Sequence, residues 1–138
     1  MATNYQILVV DDDVEDHLIL SEYFDEFGIG DVVRFVTNGK LALDYLEQIE
    51  NDDHLPRLVI MDLNMPILNG TQTLLQMKRS LRYRYIPVII FSTSANEGEK
   101  RKCLSFGAID YIVKPASYDE GKVLVQKFSS FIDSSKKE

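Results

Sequence analysis

The sequence predicts an α/β fold: a doubly wound, five-stranded parallel sheet with five helices shared between its two faces. Two features lead there. Short apolar runs rich in Val and Ile recur along the chain, continuous rather than alternating, as strands covered on both faces require. Between these runs lie segments whose apolar residues fall at helical spacing, so strand and helix alternate and right-handed crossovers set the strands parallel.

The first strand is read at residues 5–10, and the helix after it buries Leu20, Tyr23, Phe24 and Phe27. The second strand, residues 32–36, leads into a helix carrying Leu41, Ala42, Tyr45, Leu46 and Ile49. The third strand occupies residues 58–61 and is followed by a helix over residues 70–81. The fourth strand, residues 86–91, precedes a helix at residues 96–106 that is the least apolar of the set and is expected to pack least firmly. A short fifth strand at residues 111–113 leads to a last helix, residues 118–132, with Leu124, Phe128, Phe131 and Ile132 on one face. Asn38 and Ser117 stand as helix N-caps, Gly28 and Gly107 as helix stops, and Asp13 as the start of the first helix. Residues 49–57, which include His54, and the basic aromatic stretch from Arg79 to Tyr85 are expected to be solvated loops, and residues 133–138 a short polar tail.

A chain of 138 residues with 45% hydrophobic residues supports one core, so a single domain over residues 1–138 is expected, with its core at about 5–132. The formal charge of -7, from 22 acidic and 15 basic residues, argues against nucleic acid or an anionic membrane surface as the main partner. A lone cysteine, Cys103, permits neither an internal disulfide nor a Cys-based metal cluster. The opening "MATNYQILVV" lacks a basic segment ahead of its apolar stretch, and that stretch is too short for a signal peptide or a membrane span; a cytoplasmic protein is expected.

In an open parallel sheet, ligands bind beyond the carboxyl ends of the strands. Here the first strand ends in Asp11 and Asp12, the third in Asp62 within "VIMDLNMP", the fourth in Ser92 after "PVIIF", and the fifth in Lys114 within "YIVKP". Three carboxylates at one sheet edge repel and raise one another's pKa, which calls for a compensating cation. Mg²⁺ suits them, being a hard ion that takes oxygen ligands, whereas zinc or copper would ask for His or Cys, and both histidines are placed away from the strand ends. A carboxylate nucleophile, a metal, an ammonium and a hydroxyl together suit phosphoryl transfer.

The segments "ILVVDDD", "VIMDLNMPILNG", "IPVIIFSTS" and "GAIDYIVKP" resemble, in order and spacing, the signatures of the receiver domains of two-component response regulators. The resemblance runs from about Tyr5 to Ile132 and implies a CheY-like, flavodoxin-like sheet of strand order 2-1-3-4-5. It also implies that Asp62 accepts a phosphoryl group from a phosphohistidine on a sensor histidine kinase or a histidine phosphotransfer protein. Asp12, Asp62 and the backbone carbonyl of Asn64 would ligate Mg²⁺, with Asp11 acting mainly through metal-bound water. By the same resemblance Lys114 pairs with the phosphoryl oxygens, Ser92 hydrogen-bonds one of them, and Tyr111 is the switch aromatic that turns inward. Asn64 and Ser94 would line the route of the attacking water, and the Lys114–Pro115 peptide would be cis. Two positions depart from the pattern: Ser92 stands where Thr is more usual, and Ala116 where Phe often follows Lys-Pro. The long polar loop before the third strand and "STSANE" are similar to stand-alone receivers associated with phytochrome kinases.

The expectation is therefore a stand-alone receiver: a phosphorelay switch and not a turnover enzyme, monomeric or dimerising on phosphorylation, with no DNA-binding output domain expected after Glu138. A phosphatase of the haloacid-dehalogenase type also uses an Asp nucleophile and Mg²⁺, but its D-x-D pattern is broken by Asn64. A receiver that binds partners in one fixed state has little room when Asp11, Asp12, Asp62, Ser92 and Lys114 are all present. A dinucleotide site is disfavoured because "DDDVED" replaces the glycine-rich turn that a pyrophosphate requires.

Overall fold

Runs rich in Val, Ile and Leu become strands, and the three at the centre of the sheet are buried throughout, while the two at its edges are partly exposed. In the computed structural model, which describes residues 4–132, these are β1 (Ile7–Val10), β2 (Val33–Val36), β3 (Leu58–Met61), β4 (Val88–Ser92) and β5 (Asp110–Val113). They pair in parallel as β2-β1-β3-β4-β5, the order implied by the resemblance. The expected polar tail, residues 133–138, lies outside the described residues.

Five α-helices alternate with the strands: α1 (Val14–Glu26), α2 (Gly39–Gln48), α3 (Gly70–Arg79), α4 (Glu97–Ser105) and α5 (Tyr118–Ser129). Their starts are fixed chemically, because Asp13, Asn38, Asn69, Asn96 and Ser117 each accept a backbone N–H of the first turn. Gly28 and Gly107 take φ of 72° and 111° just past α1 and α4, where a side chain would be strained. Strand β4 starts at Val88 rather than at residue 86: Pro87 has no N–H to give the ladder, although its carbonyl accepts from Val59. The third helix stops at Arg79, two residues earlier than expected, with Ser80 extended at its end.

Successive strand residues point to opposite faces, which divides the core in two. Leu8, Val10, Val59, Met61, Val88 and Ile90 pack under α2, α3 and α4 with Leu46, Leu74 and Met77. Ile7, Val9, Ile60, Ile89 and Phe91 pack under α1 and α5 with Phe24, Val125 and Phe128. Each such side chain, fully buried, stabilises by about 1.5–3 kcal/mol. Helix α4 buries only Cys103, which bears out its expected loose packing.

The stretch from Arg79 to Tyr85 is not the solvated loop that its charge suggests. Tyr83 is buried, its hydroxyl donates to Glu47, and Arg82 donates to Asp52 and to the Ile49 carbonyl. A phenol ring can fill the core edge while its polar tip finds an acceptor, and the arginine then closes the end of α2. Leu81 and Tyr85 stay exposed. Phe91 is buried and packs edge-on against Phe128, ring centroids 6.0 Å apart, on the face of the sheet opposite Tyr111.

Candidate functional site

Because all five strands run the same way, their carboxyl ends share one edge, and the register puts Val10 beside Met61. The next residues along, Asp11, Asp12 and Asp62, are thereby neighbours. Asp62 is anchored by its N–H donating to the Val10 carbonyl at 2.9 Å. One carboxylate oxygen from each of Asp11, Asp12 and Asp62 lies within 4.8 Å of the others. Asp11 is 2% exposed; its Oδ1 accepts the Asp13 N–H at 2.9 Å and its Oδ2 the Lys114 ammonium at 2.8 Å. Asp12 faces solvent.

The cost of gathering these charges is visible at Asp62. Burial first, and then the neighbouring charge of Asp11, push its carboxyl up to about 6, with Asp12 adding and Lys114 and the Leu63 N–H opposing. Lys114 is the nearest compensating cation. Burial by itself would lower its pKa, but hydrogen bonds to Asp11 and Asp16, together with the charges of Asp11 and Asp62, hold it above the ordinary ammonium value. Its Nζ lies 2.6 Å from Asp16, 2.8 Å from Asp11 and 3.8 Å from Asp62 Oδ1.

Two groups at this edge escaped the sequence reading. Asp16 sits in the first turn of α1, three residues past its cap, where the helix passes over the strand ends. His17, assigned a place away from the strand ends, is in fact beside them: its Nε2 lies 2.5 Å from the Asp11 carbonyl and its ring rests on Phe35 at 5.0 Å. The reason is that α1 begins directly after Asp13, so its first residues fold back over β1. The only signal available was the distance of one helical turn from the cap, which brings both residues to that end of the sheet.

Ser92 is completely buried, and its Oγ accepts the Ser94 N–H at 3.1 Å. Tyr111 is also buried, and its hydroxyl donates to the Ser94 carbonyl at 2.8 Å, so the ring already lies inward. Ser94 Oγ donates to Glu99 and accepts from the Asn96 N–H. Ser94 therefore links Ser92, Tyr111 and the start of α4, a role beyond the water route implied for it.

Asn64 is exposed in the loop between β3 and α3. That loop carries Ile67 at φ 69°, and it closes onto Gly70, where a Cβ would stand 2.1 Å from the Asp62 carbonyl. Ala116 is exposed and borders a cavity of about 320 Å³ between α1 and α5, also lined by Asp16, Tyr23, Phe91 and Leu124. The Lys114–Pro115 peptide is trans, as is every other among the described residues, contrary to the cis form implied by resemblance. Trans is the lower-energy form of an X-Pro bond by about 0.5–1 kcal/mol. No helix among the described residues is long and apolar enough to cross a membrane.

The donors fit a hard divalent cation: they are oxygens and they converge, one from each of three carboxylates. Comparison with known proteins agrees with the architecture. The chain is 33% identical over 126 residues to the probable methanogenesis regulatory protein FilR2 of Methanothrix harundinacea (strain 6Ac), covering 91% of this chain and 81% of that one. It spans 31% and 26% of the length of two protein-glutamate methylesterases that it also matches. Among solved structures it is similar to the phosphorylated cyanobacterial phytochrome response regulator RcpA (TM-score 0.78, 28% identity, 91% of each chain). It is also similar to the Mn²⁺-bound form of the response regulator Rcp1 (TM-score 0.73, 26% identity, 91% of each chain). Residues 7–126 match the response regulator receiver domain, and the chain belongs to that family.

Proposed function

We propose that this receiver is a phosphorylation switch in which Asp62 takes a phosphoryl group from a phosphohistidine of a sensor histidine kinase or histidine phosphotransfer protein, in a Mg²⁺-dependent reaction. The observation that carries this reading is the convergence of the Asp11, Asp12 and Asp62 carboxylates within 4.8 Å, opposite the Lys114 ammonium.

Asp12, Asp62 and the Asn64 carbonyl would hold the cation, with Asp11 acting through a metal-bound water. When bound, the cation neutralises the carboxylates and the charge on the transferred phosphoryl oxygens. A carboxylate oxygen of Asp62 forms the new O–P bond as the P–N bond to the donor imidazole breaks, and the departing nitrogen is protonated. Asp62 is held for this by the Val10 carbonyl and by the Gly70 contact behind it. Lys114 supplies positive charge toward the new phosphoryl oxygens. The Ser92 hydroxyl, whose oxygen already accepts from Ser94, has its proton available to donate to one of them. Movement of Ser92 is passed through Ser94 to Tyr111 and to the Glu99 end of α4, which changes the outer surface.

In this reading the product is a conformational state and not a released molecule, so the chain acts as a cytoplasmic switch and not a turnover enzyme. Similarity to the phosphorylated phytochrome response regulator RcpA supports a receiver that is itself phosphorylated. Incubation with acetyl phosphate and Mg²⁺ should add one phosphoryl group per chain, detected by intact-protein mass. Asp62→Asn should add none, and labelling that persists in that variant would remove the assignment.

A further inference from the structure

Lys114 has three carboxylate neighbours of unequal standing. Asp16 is the nearest at 2.6 Å, Asp11 follows at 2.8 Å, and Asp62 is beyond hydrogen-bond reach at 3.8 Å. The side chains of Asp11 and Asp16 also differ in exposure, 3% against 26%. If Lys114 left Asp11, a buried carboxylate would lose its main cationic partner, which is costly. If it left Asp16, that carboxylate could turn into the cavity between α1 and α5 that it lines and be hydrated there. Asp16 is the partner that Lys114 can give up.

We propose that Asp16 is a positioning residue that holds the Lys114 ammonium off the phosphoacceptor in the resting state and yields it when Asp62 carries a phosphoryl group. This rests on Asp62 being the phosphoacceptor. A phosphoryl group on Asp62 places anionic oxygens at the sheet edge, and Lys114 pairs with them by exchanging one charge-assisted hydrogen bond for another. The Asp16 carboxylate opposes that exchange by binding the ammonium. Asp16 thereby sets how readily the switch is thrown.

The test uses the full chain with saturating Mg²⁺ and trifluoroberyllate, which occupies a carboxylate as a phosphoryl group does, with affinity read by calorimetric titration. Asp16→Asn removes the charge and should tighten trifluoroberyllate binding by about three- to tenfold, a fraction of the worth of one charged hydrogen bond. Asp16→Glu keeps the charge and should stay near the wild-type affinity. In a Lys114→Ala background, Asp16→Asn should change nothing, because the effect acts through the lysine. A merely structural Asp16 would instead lower the melting temperature and weaken binding in Asp16→Asn. Unchanged or weakened binding in Asp16→Asn would overturn the proposal, as would an equal gain in the Lys114→Ala background. In either case wild-type binding abolished by Asp62→Asn would leave the phosphoacceptor reading standing, whereas a wild type that binds no trifluoroberyllate would remove both.

Discussion

A single carboxyl group, that of Asp62, sits about two pH units above its ordinary value, at about 6 against 3.8, because of burial and the charge of Asp11. The folded state therefore binds the Asp62 proton more tightly than the unfolded chain does. Between those two values stability falls as pH rises, and above pH 6 the full penalty is present. With metal chelated, Asp62→Asn should melt several degrees above wild type at pH 7.5, and the gap should close toward pH 4. Melting curves across that range check it, and a gap independent of pH would show that the charge is not the cause. Lys114 carries the opposite burden. Lys114→Ala leaves the buried Asp11 carboxylate without its cation, and should cost about 3–5 kcal/mol in chelator, part of it recovered on adding Mg²⁺, as denaturant titrations can measure. Asp11, Asp12, Asp62, Ser92 and Lys114 were legible in the sequence because each ends a strand of recognisable composition. Asp16 and His17 were not, because their place depends on the direction in which α1 leaves the sheet, which no single residue encodes.

At the scale of elements, the β3–α3 loop is the part of the fold most constrained by the site. Gly70 opens α3 so close to β3 that an added Cβ would stand 2.1 Å from the Asp62 carbonyl and 2.9 Å from Leu63 Cα. Gly70→Ala must move backbone that holds Asp62, so a loss of about 1–3 kcal/mol in stability is expected, with weaker Mg²⁺ binding in the same titration. Ile67 shows the converse. It is 76% exposed at φ 69°, a conformation costing a β-branched residue about 1–2 kcal/mol, so Ile67→Gly should leave stability equal or slightly raised. The sequence revealed where each strand and helix lies, because apolar runs and caps are local signals. It did not reveal that Tyr83 turns into the core, since the arginines beside it read as solvent until Asp52 and the end of α2 are placed against them.

At the scale of the molecule, the parallel sheet brings together residues that lie far apart in the chain, so that Lys114 reaches Asp11 across 103 positions. Alternation along each strand sends Ile90 and Phe91 to different helical layers, and the two layers were implied by continuous apolar strands. Strand order was implied only by the resemblance, because composition says which segments are strands and not which are neighbours. The sheet edge thus joins the proposed phosphoacceptor site to α4 through Ser94 and Tyr111. The most direct test of this arrangement is to locate the phosphate. After reaction with acetyl phosphate and Mg²⁺, borohydride reduction converts an acyl-phosphorylated aspartate to homoserine, which peptide mass mapping assigns to one position. The expected result is conversion at Asp62 alone, abolished by chelator; conversion at Asp11 or Asp12, or conversion undiminished without a divalent cation, would contradict it.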